Sequence, residues 1–435
     1  MGIENGKNSE NVKKTETKKF YDVHCHAFNW SHLNVLVFLK RFKIKLLLPA
    51  GPLVWLYNKI NPDTSRRFKN LLSLLENDLG NYFLLTEYFL KNEHKVVFPD
   101  NTFPIGDVKY NKIVLTPLIM DYGYRNIELP GIFYNIPPRK PIRSQVIDVF
   151  NGIKFYCENK LILKDDKLKS YLKSYKDTEG GKDNKLYEIY PFLGLNTKHY
   201  TDKKVERMLD KYFKDYDGSQ QSLYENMGKF NGDIEDIGSN FFAGIKVYPP
   251  LGFDPWPDDD DEKAKVKILY DYCIDKGIPI TTHCSNGGFR VDKNADNYTA
   301  PGLKWKTVME NYTELKINFG HFGYQSKLLW LFPRTQWRDS IIELMSKYPN
   351  VYADFSCLSL SEKECKHLEN LLKEKEDTNH ELKDRILFGS DFLISLIWTD
   401  SYNEYLNNFI GTESLQSFKE NLCSKNPEKF LFNPN

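Results

Sequence analysis

A chain of 435 residues can bury a large core and can build a barrel with insertions in one piece. Its 60 Lys+Arg against 59 Asp+Glu leave a net charge of +1, which argues against a general nucleic-acid binder. The seven cysteines are odd in number and scattered, with no C-x-x-C pair. That excludes a disulfide framework or a zinc-finger array and points to a reducing, cytoplasmic setting.

Residues 1–19 are polar and lysine-rich without an apolar centre, and read as a disordered leader rather than a signal peptide. Residues 20–435 then form one domain. Tyr21 and Val23 give the first strand, which ends in His24-Cys25-His26. Side chains on a strand alternate faces, so the two histidines point the same way and can share one metal ion, zinc before others. Residues 27–111 form a first insertion, rich in apolar and helix-forming residues. Its apolar runs (35–39 and 46–60) are broken by lysines, Arg41, Pro49 and Pro52, so no segment supplies the ~20 uninterrupted apolar residues of a membrane span.

Lys112 to Met120 is a buried-type second strand. A second insertion follows over 131–185, with a helix from Gln145 to Leu161 and a lysine-rich face after it. Tyr187 to Leu195 is the third strand, Val205 to Phe213 a helix, and Gln220 to Gly232 irregular. From Phe242 the alternation is regular. Strands are expected over 242–248, 278–282, 316–320, 351–355 and 386–389, with helices over 262–276, 305–312, 338–347 and 361–375. A last helix begins near Phe418. The acidic run Asp258 to Glu262 suits the start of a helix. Eight short apolar strands alternating with helices predict an α/β fold, a (β/α)8 TIM barrel with long helical insertions after strands 1 and 2.

Polar residues recur where these strands stop: His24, His26, Lys246, His283, His321 and Asp391. Each alone has an ordinary explanation, such as a loop polar group, a helix cap or a structural ion pair. In a parallel barrel, however, all strand ends share one rim, where three or four N/O ligands can surround a metal. His32, His94, His199, His367 and His380 lie away from strand ends and read as ordinary. Tyr248, Asn286, Arg290 and Tyr324 sit just beyond strand ends and are candidates for substrate binding, with Arg290 able to hold a carboxylate.

These motifs resemble the metal-dependent amidohydrolase superfamily, and within it the amidohydrolase-related group that includes aminocarboxymuconate-semialdehyde decarboxylase. The residues that carry the resemblance are Asp22-Val23-His24-Cys25-His26, Gly244 to Pro250 (GIKVYPP), Ile280 to Cys284 (ITTHC), Asn318 to Gly323 (NFGHFG), Ile386 to Asp391 (ILFGSD) and Asn421 to Phe430 (NLCSKNPEKF). The resemblance runs from Phe20 to about Phe430, strong from Phe242 and weak across 27–239. It implies a catalytic zinc held by His24, His26, His283 and Asp391, with Asp391 moving the proton of an activated water. His321 would polarise the substrate carbonyl or orient the nucleophile. Lys246 would be catalytic, and would bridge a second metal if carboxylated; its GIKVYPP context resembles the one-metal branch. The expected activity is hydrolysis of an amide-like or ester-like bond in a small organic substrate. The alternatives are a non-oxidative decarboxylase using the same residues and a non-catalytic metal-binding barrel. No nucleic-acid or membrane partner is expected, and a homodimer is implied by the family alone.

Overall fold

The computed structural model describes residues 17–32, 62–92, 96–122, 142–163, 172–176, 181, 184–290, 294–328, 332–356, 360–374 and 382–432. Most of the leader, the apolar runs at 35–39 and 46–60, His94, Cys357 and His380 lie outside these residues. The first strand, β1 (Lys18–Cys25), begins two residues earlier than the sequence suggests. Lys18 and Lys19 already pair with Tyr110 and Lys112.

Between β1 and the next strand of its ladder lie α1 (Pro62–Leu75), α2 (Leu79–Asn92) and β2 (Phe103–Ile105). Strand β3 (Val108–Pro117) then runs parallel to β1, with β2 folded back antiparallel on it. The second insertion holds α3 (Ile142–Glu158) and an antiparallel hairpin, β4 (Asn159–Leu163) with β5 (Leu172–Lys176). Leu161 therefore lies in a strand, not at the end of a helix. The third strand is split into β6 (Tyr187–Ile189), which pairs with β3, and β7 (Phe192–Gly194), which pairs with the strand after it. Pro191 lies in the gap, where a residue without an N–H cannot continue the ladder.

Helices α4 (Asp202–Phe213) and α5 (Gln220–Met227) follow; the second replaces the irregular segment expected there. Ser219 starts it by accepting a hydrogen bond from the Ser222 amide, a local cap that outweighs a weak apolar pattern. From here the order is β8 (Gly244–Val247), α6 (Asp260–Lys276), β9 (Ile280–Ser285), α7 (Ala295–Thr299), α8 (Lys304–Asn311), β10 (Ile317–Leu328), β11 (Phe332–Arg334), α9 (Gln336–Lys347), β12 (Val351–Asp354), α10 (Glu362–Glu374), β13 (Ile386–Leu387), α11 (Tyr402–Gly411) and α12 (Asn426–Leu431). Helix α6 starts as the acidic run suggests: Asp259 caps the Glu262 amide and three carboxylates fill the first turn.

Strands β7, β8, β9, β10, β12 and β13 form one parallel run. Its two edges meet the sheet of β1, β3 and β6. On one side the Val23 amide donates to Phe388 O at 3.1 Å and the Asp391 amide to His24 O at 2.7 Å. On the other, Leu118 bridges to Phe192. The result is a TIM-barrel-like α/β fold in which successive strands run the same way, so their carboxyl ends gather on one side.

Apolar packing locks helices onto this sheet. Trp305 of α8 is fully buried, with Phe319 of β10 5.8 Å away and Phe253 6.2 Å away, centroid to centroid. Trp305→Ala should cost about 3–5 kcal/mol, the usual loss for a large aromatic in a core. It should lower the denaturant midpoint without changing the slope; a loss under about 1 kcal/mol would mean that α8 does not brace β10.

Candidate metal centre

His24 sits where β1 meets both neighbours of the strand-end rim, and two glycines make room for its ring. A Cβ on Gly320 would lie 2.7 Å from His24 Cε1, and one on Gly389 2.7 Å from His24 Cβ. The glycines of the NFGHFG and ILFGSD motifs are therefore explained by close approach to an imidazole. Asp22, one turn of the pleat before His24, accepts from the Ser390 amide at 2.9 Å and the His24 amide at 3.3 Å. It ties β1 to the loop after β13. Its burial pushes its carboxyl up to about 6.

His321 and Asp391 are held in left-handed backbone, at φ 64° and 55°. Few residues other than glycine adopt it, and it costs free energy that the surroundings must supply. Here the supply is visible: the His321 amide donates to Asp354 Oδ1 at 3.0 Å and the Asp391 amide to His24 O at 2.7 Å. The register of β10 against β9 breaks between Gly320 and Tyr324, which re-aims His321.

The result is a compact, buried set of donors. One ligand atom each from His24, His321 and Asp391 lie within 4.8 Å of one another. Asp391 Oδ1 is 3.1 Å from His26 Nε2 and 3.8 Å from His24 Nε2. Ligands about 2.0–2.1 Å from a tetrahedral zinc stand roughly 3.3–3.4 Å apart, so these two spacings bracket that value. His283 stands one step back. Its Nδ1 is 3.0 Å from His321 Nε2, and its Nε2 is 3.0 Å from Ser285 Oγ.

Proton counting shows that this set can accept a cation. His26 Nδ1 faces Leu118 O at 3.2 Å, an acceptor only, so that nitrogen carries the hydrogen. Burial lowers the His26 pKa, the contact with Asp391 opposing it, so the ring is neutral at neutral pH and has no second hydrogen. Its Nε2 lone pair then faces the Asp391 carboxylate, which is itself acceptor-only. Two acceptors 3.1 Å apart repel unless a positive charge lies beside them. His24 Nε2 is likewise buried, with no hydrogen-bond partner among the described residues.

The surrounding charges agree. Burial would raise the Asp391 carboxyl, but His321, His26 and His24 outweigh it and hold it at about 2. Burial takes His321 down to about 4, and pushes His283 well below the usual range with His321 adding to it. These rings keep lone pairs at neutral pH. The Asp354 carboxyl stays well below its ordinary value: burial opposes this, but His24, His321 and Ser356 prevail. Lys246 is buried, burial lowers it to about 8, and its Nζ has no hydrogen-bond partner among the described residues. It lies 5.7 Å from the centre of the Tyr248 ring. Two anionic carboxylates, neutral imidazoles and one amine leave room for a divalent cation.

The residues named for substrate binding are arranged around His283. The Tyr248 ring is 4.8 Å from it, and Tyr248 Oη accepts from the Phe289 amide at 3.1 Å. The Asn286 amide donates to Tyr324 O at 3.1 Å, and Tyr324 is exposed. Arg290 pairs with Asp296 at 2.9 Å and donates to Asn286 O at 3.4 Å, so its guanidinium is engaged by the protein itself.

Sequence reasoning passed over Asp354 and Ser356, at the end of β12. Asp354 Oδ2 accepts from His24 Nδ1 at 2.8 Å, and Ser356 Oγ lies 2.9 Å from His321 Nδ1. The signal that could have found them is the one that found His24 and His26: residues two apart at the end of an apolar strand share a face.

Residues 233–432 match the family model described as amidohydrolase. No curated protein matches the chain. Among solved structures the chain is similar to an amidohydrolase II at 12% identity, covering 95% of this chain and 99% of that one, with a TM-score of 0.39. It is also similar to an amidohydrolase from Burkholderia multivorans with bound zinc, at 13% identity over 56% of this chain and 83% of that one, TM-score 0.32. A third is a uronate isomerase from Bacillus halodurans, at 13% identity over 56% and 59%, TM-score 0.31. The segment that the amidohydrolase model matches, residues 233–432, is the one that carries Lys246, His283, His321, Asp354 and Asp391.

Proposed function

We propose that this protein is a zinc-dependent hydrolase that cleaves an amide-like or ester-like bond of a small organic substrate at the rim of a closed (β/α)8 barrel. The observation that carries the reading is the lone pair of His26 facing the carboxylate of Asp391 in a buried site. His24, His26 and Asp391 would hold the ion. His283 and His321, hydrogen-bonded to each other, stand beside this set, and one of them completes it by giving up a hydrogen bond it makes in the metal-free protein. Nitrogen and carboxylate donors in this number suit zinc.

A zinc ion so held supplies Lewis acidity, making water more acidic and polarising a carbonyl. Asp391, ionised at neutral pH, accepts the proton of the attacking water and delivers it to the leaving nitrogen or oxygen. Lys246 presents a buried amine toward the same space and would hold a partial negative charge on the substrate. Tyr248 forms a wall beside His283. The decarboxylase reading asks Arg290 or His321 to assist a substrate carboxylate. Arg290 is already committed to Asp296, which favours the hydrolase.

Elemental analysis of the purified protein should find one zinc per chain. Chelation should abolish turnover and zinc should restore it; two tightly bound ions would instead indicate a carboxylated Lys246. Asp391→Ala should keep the fold and lower kcat by at least about 10²-fold, the usual share of a general acid–base group. Turnover at the wild-type rate would refute the assignment.

Acidification should destabilise the metal-free protein. The folded state keeps His321 neutral down to about pH 4, while the unfolded chain protonates it near its ordinary value of 6.5. Between these values the unfolded state binds more protons, so stability falls as pH falls. His26 and His283, both lowered, act in the same direction; Asp22, raised to about 6, opposes them, one group against three. Urea midpoints measured from pH 7 to pH 4 should decline; a midpoint that rises on acidification would contradict the neutral imidazoles.

A further inference from the structure

Strand β12 supplies none of the residues proposed to hold the ion, yet its end touches two of the histidines in the cluster. Asp354 is fully buried and accepts five hydrogen bonds. Oδ2 takes His24 Nδ1 at 2.8 Å and Asn318 Nδ2 at 2.7 Å. Oδ1 takes the backbone amides of His321 at 3.0 Å and Ser356 at 3.1 Å, and the Ser356 hydroxyl.

A carboxylate can only accept, so this end of the network is fixed and the rest follows from it. His24 must carry a hydrogen on Nδ1, which in the neutral ring leaves a lone pair on Nε2. The one hydroxyl hydrogen of Ser356 goes to Asp354, so Ser356 Oγ must accept from His321 Nδ1, 2.9 Å away. His321 is then also the Nδ1–H form with a lone pair on Nε2. That lone pair accepts from His283 Nδ1 at 3.0 Å, and His283 Nε2 in turn accepts from Ser285 Oγ at 3.0 Å. Every hydrogen in the line from Ser285 to Asp354 points one way.

We propose that Asp354 and Ser356 are positioning residues that set the tautomers of His24 and His321, so that both rings turn an Nε2 lone pair into the cluster. The device has a consequence for the role of His321. With its hydrogen on Nδ1 its Nε2 is an acceptor, filled by His283 in the metal-free protein and open to a ligand role only when that bond is given up, and it cannot donate a hydrogen bond to a substrate carbonyl from that atom while neutral. Asparagine cannot replace Asp354: either orientation of the amide sets its NH2 against at least two donors.

The effect on metal affinity rests on the zinc reading above; the tautomers do not, and are measured on the metal-free protein. In protein labelled with 15N-histidine, long-range 1H–15N spectra should show His24 and His321 as Nδ1–H tautomers. Ser356→Ala should change the pattern of His321 and weaken zinc binding about 10–100-fold by chelator competition, the range for losing a partner behind a metal ligand. Its melting temperature without metal should stay near that of the unaltered protein. Ser356→Thr, which restores the hydroxyl, should recover both properties, and Asp354→Asn should alter both histidines. Wild-type tautomers or wild-type zinc affinity in Ser356→Ala would overturn the proposal. If the unaltered protein binds no zinc but shows the Nδ1–H forms, the metal reading fails and the positioning role stands.

Discussion

Acceptors facing acceptors are the constraint on which this structure turns. His26 Nε2 and Asp391 Oδ1 lie 3.1 Å apart with no hydrogen between them, because the His26 hydrogen is committed to Leu118 O. His24 Nε2 is buried beside them without a partner among the described residues. Burying such groups without compensation costs several kcal/mol in a low-dielectric interior. A divalent cation relieves all three at once, which is why the site reads as a metal centre rather than as a polar flaw in the core.

The backbone is bent to serve this arrangement. His321 and Asp391 both occupy left-handed conformations and are held there by hydrogen bonds from their own amides. Gly320 and Gly389 leave the gap into which the His24 ring fits. Strain, close-packed glycines and lone pairs without donors meet at this rim of the sheet, and functional sites are where a fold tolerates such local costs. Away from the rim the same strands follow ordinary rules, with the aromatic side chains of Phe20, Phe355, Phe388 and Phe409 packed against one another.

Much of this was legible from residues alone where a local rule was strong. The two-residue spacing of His24 and His26 put both on one face, and the acidic run before α6 marked a helix start that Asp259 indeed caps. Other features escaped for physical reasons. Helix α5 is short and begins with a local cap, so its apolar periodicity was too weak to read. The third strand was read as one piece, but the ladder breaks in two around Pro191. Arg290 had the right position to meet a substrate, and only the fold shows Asp296 beside it.

The sequence by itself determined which groups reach the strand ends, because alternation along a strand is a property of the covalent chain. Apart from the first, at His24 and His26, the motifs that carry those groups lie within residues 233–432, the segment that matches the amidohydrolase model. Which nitrogen of each imidazole faces the cluster was decided only by tertiary structure. That choice depends on the atom across from Nδ1: Asp354 for His24, Leu118 O for His26 and Ser356 for His321. Asp354 is 330 positions from His24 along the chain. A hydrogen on a ring nitrogen is placed by its nearest acceptor in space, and only the folded strands bring that acceptor within reach.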